Sequence, residues 1–123
     1  MDMSQDIQIL PNSGAERMPF DWGELTWYAN GALGNSEGLT VGRCVLKPGR
    51  SNPRHYHPNC TEVLTVLKGR IRHTGPGGNA VELSEGDTVT VPPNIWHNAE
   101  NTGDSEAVLS IVFNSPDRQT IGE

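Results

Sequence analysis

The chain has 123 residues and a net charge of −6, with a pI of about 5.1, which is the size of one domain around one core. No basic cluster is available to neutralise phosphates, so a nucleic-acid surface is not expected, and no apolar run approaches the roughly 18 residues of a membrane span. Met1-Asp-Met-Ser-Gln-Asp-Ile lacks the basic-then-apolar order of a signal peptide, which predicts a cytoplasmic protein. There the two cysteines, Cys44 and Cys60, which form no C-x-x-C pair, are expected to be free thiols.

In chain order, residues 1–19 are polar and carry Pro11-Asn12-Ser13-Gly14 and Pro19. They read as an arm, with one edge strand over 7–10. Such arms cover sheet edges or cross to a second subunit. Residues 18–29 hold Phe20, Trp22, Trp27 and Tyr28, and Leu25-Thr-Trp-Tyr28 has strand composition. These aromatics are expected to seal one end of the core; the alternative is that one of them walls a substrate pocket. A loop over 30–38 leads to a strand over 39–46. Arg43 shares its face with Leu39, Val41 and Val45, so it is either a surface group with a buried stem or an anion anchor inside the fold.

The next stretch is the most informative. His55-Tyr56-His57, if extended, sends both imidazoles to one side and Tyr56 to the other. Pro58-Asn59 is a turn signal, and Val63-Leu-Thr-Val-Leu67 is the next strand, with Glu62 at its start. Both faces of that strand are apolar, so a second subunit or the arm is expected to cover one of them. Two imidazoles and a carboxylate meeting from neighbouring strands form a ligand set for a divalent first-row metal. After the turn at Lys68-Gly69, residues 70–74 return as a strand carrying His73. Short strands follow over 80–83 and 87–91. His97 then stands in Pro92-Pro-Asn-Ile-Trp-His97, a final strand is predicted over 107–113, and 114–123 read as a polar tail. No sustained 3.6-residue period occurs, and short strands between Gly, Pro and Asn turns predict an all-β sandwich or barrel.

Two spaced patterns resemble the paired motifs of the cupin superfamily. The first, G-x5-H-x-H-x4-E-x6-G, runs through Gly49, His55, His57, Glu62 and Gly69. The second, G-x5-P-x-G-x2-H-x3-N, runs through Gly86, Pro92, His97 and Asn101, with Asn94 where the family usually has glycine. Asn is the next most tolerant residue for a positive φ. The resemblance covers about 38–113 and implies a single cupin-type jelly roll, with 1–37 as N-terminal arm and edge strands. It further implies that His55, His57, Glu62 and His97 hold one divalent transition metal (Fe, Mn, Ni, Zn or Cu). Asn101 would be an orienting partner for His97. On the family's layout His73 looks into the barrel, either as a general acid or base or as a hydrogen-bonded wall residue. Arg43, Arg70 or Arg72 would hold a substrate carboxylate. Cys60 is expected to point away from the metal.

The reading of function that follows is a metalloenzyme for a small oxygen-rich molecule, of dioxygenase, isomerase, or lyase and decarboxylase type. Its alternatives are a ligand-binding or sensor cupin without catalysis and a module whose metal only stabilises the fold. A homodimer is expected from the family.

Overall fold

A computed structural model describes residues 7–122. In chain order the strands are β1 (Glu16–Phe20), β2 (Gly23–Ala29), β3 (Thr40–Leu46), β4 (His55–Tyr56), β5 (Glu62–Lys68) and β6 (Arg70–Thr74), then β7 (Ala80–Ser84), β8 (Thr88–Val91), β9 (Asn98–Asn101), β10 (Ala107–Phe113) and β11 (Ile121–Gly122). The only helical pieces among the described residues are two 3-10 turns, Asn12–Gly14 and Pro76–Gly78.

The strands form two layers. One is a six-stranded sheet in the order β1-β2-β3-β10-β5-β8, antiparallel throughout. The other is assembled from β7-β6-β9 and β11-β4. Bridges pairing Ser51 with Glu100 and His55 with His97 run the chain before β4 alongside β9, so the two small sheets continue one another. This is the predicted all-β jelly roll. Period-two alternation selects the inner face. In β3, Thr40, Gly42, Cys44 and Leu46 are buried; in β10, Ala107, Leu109, Ile111 and Phe113 are buried. Ile71 from the opposite layer meets them in the core. Each such large apolar side chain contributes about 1.5–3 kcal/mol by leaving water.

Gly42 shows how closely the layers approach. A Cβ there would lie 2.4 Å from Cε3 of Trp27. The glycine therefore lets the indole lie flat against β3 in the barrel interior.

Two expectations need correction. Residues 7–10 form no strand; the edge strand is β1, which contains Pro19. Proline lacks the N–H a ladder needs, and an outermost strand has a side that needs no partner. Residues 114–122 are no loose tail, because β11 pairs with β4 and closes the second layer. In the apolar strand β5, Leu64 and Val66 point inward, while on the other face Val63 is 37% and Leu67 55% exposed among the described residues.

Candidate metal centre

The extended His55-Tyr56-His57 stretch does what alternation requires. Tyr56 packs outward against Trp96, ring to ring at 4.8 Å, while the two imidazoles share the other side at 4.9 Å. His55 and His97 face each other across a closed backbone pair: His55 N–H donates to His97 O (3.0 Å) and His97 N–H donates to His55 O (2.8 Å). Asn94 has φ +68°, the left-handed conformation anticipated for it. In that turn its N–H donates to His57 O at 3.0 Å, tying the second motif to the first. Glu62 opens β5 opposite Val91 and Phe113 and is buried at 5% exposure.

One potential donor atom from each of His55, His57, Glu62 and His97 lies within 4.8 Å of all the others. Each imidazole is oriented by the main chain. His55 Nδ1 donates to Pro53 O (2.7 Å), His57 Nδ1 to Gln119 O (2.8 Å) and His97 Nδ1 to Ile95 O (2.8 Å). A carbonyl only accepts, so every Nδ1 carries its proton and every Nε2 is the atom turned to the common point. His57 Nε2 is buried without a hydrogen-bond partner, although Glu62 Oε1 lies 3.2 Å away. His97 Nε2 donates to the same oxygen at 3.0 Å. Two inward nitrogens on one carboxylate oxygen, one of them orphaned, fit a cation at their centre.

The electrostatics agree. Burial alone would raise the Glu62 carboxyl, but the His57 and His97 imidazoles beside it hold it well below the usual carboxylate range. Burial lowers His97, and contact with Glu62 more than reverses this, so its net shift is upward. A metal here would replace the proton that His97 shares with Glu62. Burial is the main cause that lowers His55 to about 4, with His97 and His57 adding to it, and the bond to Pro53 only partly offsets them. His55 is thus a neutral ligand near pH 7.

His55, His57 and Glu62 border a cavity of about 280 Å³. Phe20 and Trp22, stacked at 4.7 Å and 6°, form its wall with Met18, Leu25 and Trp27. The aromatics thus serve as more than a seal for the core. Cys44 also faces the cavity; burial, aided by Glu62, pushes its thiol up to about 12, so it is an uncharged wall. Both cysteines are free. Cys60 is buried and stands outside the four-residue cluster.

The C-terminal segment supplies what the sequence concealed. Asn59, in the turn between the first ligands, accepts from Gln119 N–H at 2.9 Å and donates to Asp117 O at 2.8 Å. That clamp brings Gln119 O to His57. It also sets Arg118 over the rings of Trp27 (4.3 Å) and Phe113 (5.2 Å), at the cavity wall beside Thr120. The only trace of this in the sequence is Ile121, an apolar residue in a polar run.

Several assigned roles change. Arg43 is exposed on the outer face of β3 and takes no part in lining the cavity, so it cannot meet a substrate there. The face with Gly42 and Cys44 is the inner one. Arg70 and Arg72 lie on the exterior, Arg72 paired with Glu82 at 2.7 Å. His73 does face inward, its ring 5.5 Å from His97 and stacked on it, but it lies behind the ligands and outside the cavity lining. Burial, and then His97, lower it to about 4. Asn101 does not orient His97. Its amide donates to Leu46 O and Ser105 O, and its Oδ1 accepts from Gly103 N–H, clamping the turn before β10.

The family profile for the cupin domain matches residues 42–113. Among curated proteins, the chain is 36% identical over 85 residues to germin-like protein subfamily 3 member 2 of Arabidopsis thaliana, covering 66% of this chain and 37% of that one. It is 33% identical over 88 residues to oxalate oxidase 1 of Hordeum vulgare, covering 66% and 44%. The chain thus spans about two fifths of the length of these relatives. Among solved structures it is similar to the formate complex of oxalate decarboxylase from Lactobacillus farciminis, with a TM-score of 0.81 and 17% identity, over 99% of this chain and 40% of that one. A mutant of Bacillus subtilis oxalate decarboxylase gives a TM-score of 0.79 at 23% identity, over 87% and 29%. At these identities the structural likeness speaks for the fold.

Proposed function

We propose that this chain, which belongs to the cupin family by the match over residues 42–113, is a metal-dependent enzyme that oxidises a small oxygen-rich molecule with dioxygen as the electron acceptor. The observation that carries the metal is the convergence of three imidazoles, each oriented through Nδ1 by a backbone carbonyl, on the buried Glu62 carboxylate. His55, His57, Glu62 and His97 would hold one divalent transition metal. When bound, it would supply Lewis acidity toward a carbonyl or carboxylate oxygen, or redox capacity if it is a redox metal.

The protein's own residues bind the substrate and keep water from it. The aromatic wall and the protonated Cys44 present no competing charge. Among the described residues lining the cavity, no Asp, Glu, His, Lys or Tyr stands outside the ligand set. The name of one relative, oxalate oxidase 1, supports the oxidative class. The names of the relatives bring oxalate into this proposal as the first substrate to try.

Elemental analysis of the purified protein tests the centre. About one equivalent of metal per chain is expected in the wild type, and under about a tenth of that in His57→Ala, since a tetrahedral or octahedral site loses an inward nitrogen. Unchanged metal content in that variant would sink the ligand assignment. Oxygen uptake and carbon dioxide release, followed separately with oxalate and with larger organic acids, distinguish oxidation from decarboxylation.

A further inference from the structure

The cavity has room for more than a two-carbon diacid. Most of its wall is hydrocarbon and aromatic, and at about 280 Å³ it lies just below the roughly 300 Å³ where pockets for drug-sized ligands begin. Its charges are placed at two points. Among the described residues Glu62 is the only acid in the lining, and Arg118 the only lysine or arginine. Glu62 is engaged with His57 and His97.

Arg118 is in contact with no carboxylate among the described residues, and the charge of Glu62 reaches it only through space. Its guanidinium rests against the Trp27 and Phe113 rings. Among the described residues Thr120 Oγ1 is its hydrogen-bond acceptor, through Nη1 alone, and no carboxylate pairs with it. Holding an always-charged group half-buried against apolar rings costs solvation, which an anion would restore. A planar donor fork with unused N–H groups, at the wall of an apolar cavity, matches a carboxylate.

We propose that Arg118 is a specificity-determining residue that anchors the carboxylate of a small organic acid, whose apolar or aromatic body fills the cavity walled by Met18, Phe20, Trp22 and Leu25. This deepens the function proposed above and rests on it for the reacting end of the molecule. The anchor itself is a property of the C-terminal segment.

Binding to the metal-loaded protein by titration calorimetry tests it, with 3-phenylpropionate and its neutral counterpart 3-phenylpropanol as probes. The acid is expected to bind wild type about 10–100-fold more tightly than the alcohol, the worth of charged hydrogen bonds. Arg118→Gln should abolish that preference while metal content and alcohol affinity stay unchanged. Arg118→Met, which keeps the packed stem, gives the same reading if Arg118→Gln does not fold. A preference for the acid that survives both substitutions means the metal or another group holds the carboxylate, and overturns the anchor. So does a wild type that does not discriminate. A wild type with no metal but with an Arg118-dependent preference sinks the enzyme reading and leaves the anchor standing.

Discussion

The two ligand-bearing stretches, 49–69 and 86–101, and the closing segment, 114–122, border one site but are built on different principles. In the first two, chemistry is written at short range. Alternation aims His55 and His57 together, the turn at Asn94 joins the motifs, and Glu62 opens a strand. The closing segment has almost no local signal. It acquires its role only after the barrel exists for it to dock on, through Asn59 and the β11–β4 pairing. Ligand positions are therefore legible from spacing, while the residues that orient one ligand and charge the cavity come from a part of the chain that reads as a tail.

Removing the closing segment is the strongest way to break this comparison. A chain ending at Asn114 should keep the six-stranded sheet and the β7-β6-β9 sheet by far-UV circular dichroism while losing the β11–β4 pair, and bind metal about 10–100-fold more weakly, because His57 loses its orienting acceptor. Equal affinity would mean that the segment is mere covering. A pH series sharpens the other side. In metal-free protein, His55 and His73 are lowered from 6.5 to about 4, so the unfolded chain takes up their protons first. Stability in urea should fall as pH drops from about 6.5 toward 4. It should continue to fall below that, as unfolded Glu62 accepts a proton that its depressed folded carboxyl refuses. His97, shifted upward, acts in the opposite sense and above this window. A flat profile from 6.5 to 4 would contradict the buried, neutral state of the two imidazoles. The smallest effect concerns the wall rather than the ligands. Gly42→Ala places a methyl against Trp27 and should cost about 1–3 kcal/mol in urea unfolding by overpacking, with metal content unchanged. A substitution that costs nothing would show that the indole has room to move.

The all-β class and the grouping of His55, His57 and Glu62 are legible because period-two alternation and turn chemistry act over a few residues, whereas His97 joins them through the resemblance of the two spaced motifs to the cupin pattern. What failed did so for reasons of the same kind. Arg43 sits on a strand with apolar residues on both faces, so pattern alone could not say which face is interior. A one-residue change of face exchanges Arg43 for Cys44. Alternation puts His73 on the inward face, but depth within a barrel depends on what lies in front of it, here His97. Asn101 has the right spacing from His97, yet its amide is consumed by the turn at 103–105. Arg118 needed knowledge of a contact between segments some sixty positions apart, the Gln119 carbonyl on His57 being 62 residues distant.

The three orienting acceptors have a consequence for how this site tolerates change. Pro53, Ile95 and Gln119 each contribute a main-chain oxygen, which every amino acid possesses. Mutational drift at those positions can alter size, polarity or charge around the centre without deleting the groups that set its tautomers. The protein can thus explore new chemistry in its surroundings while the grip on its ion stays outside the reach of most single codon changes there.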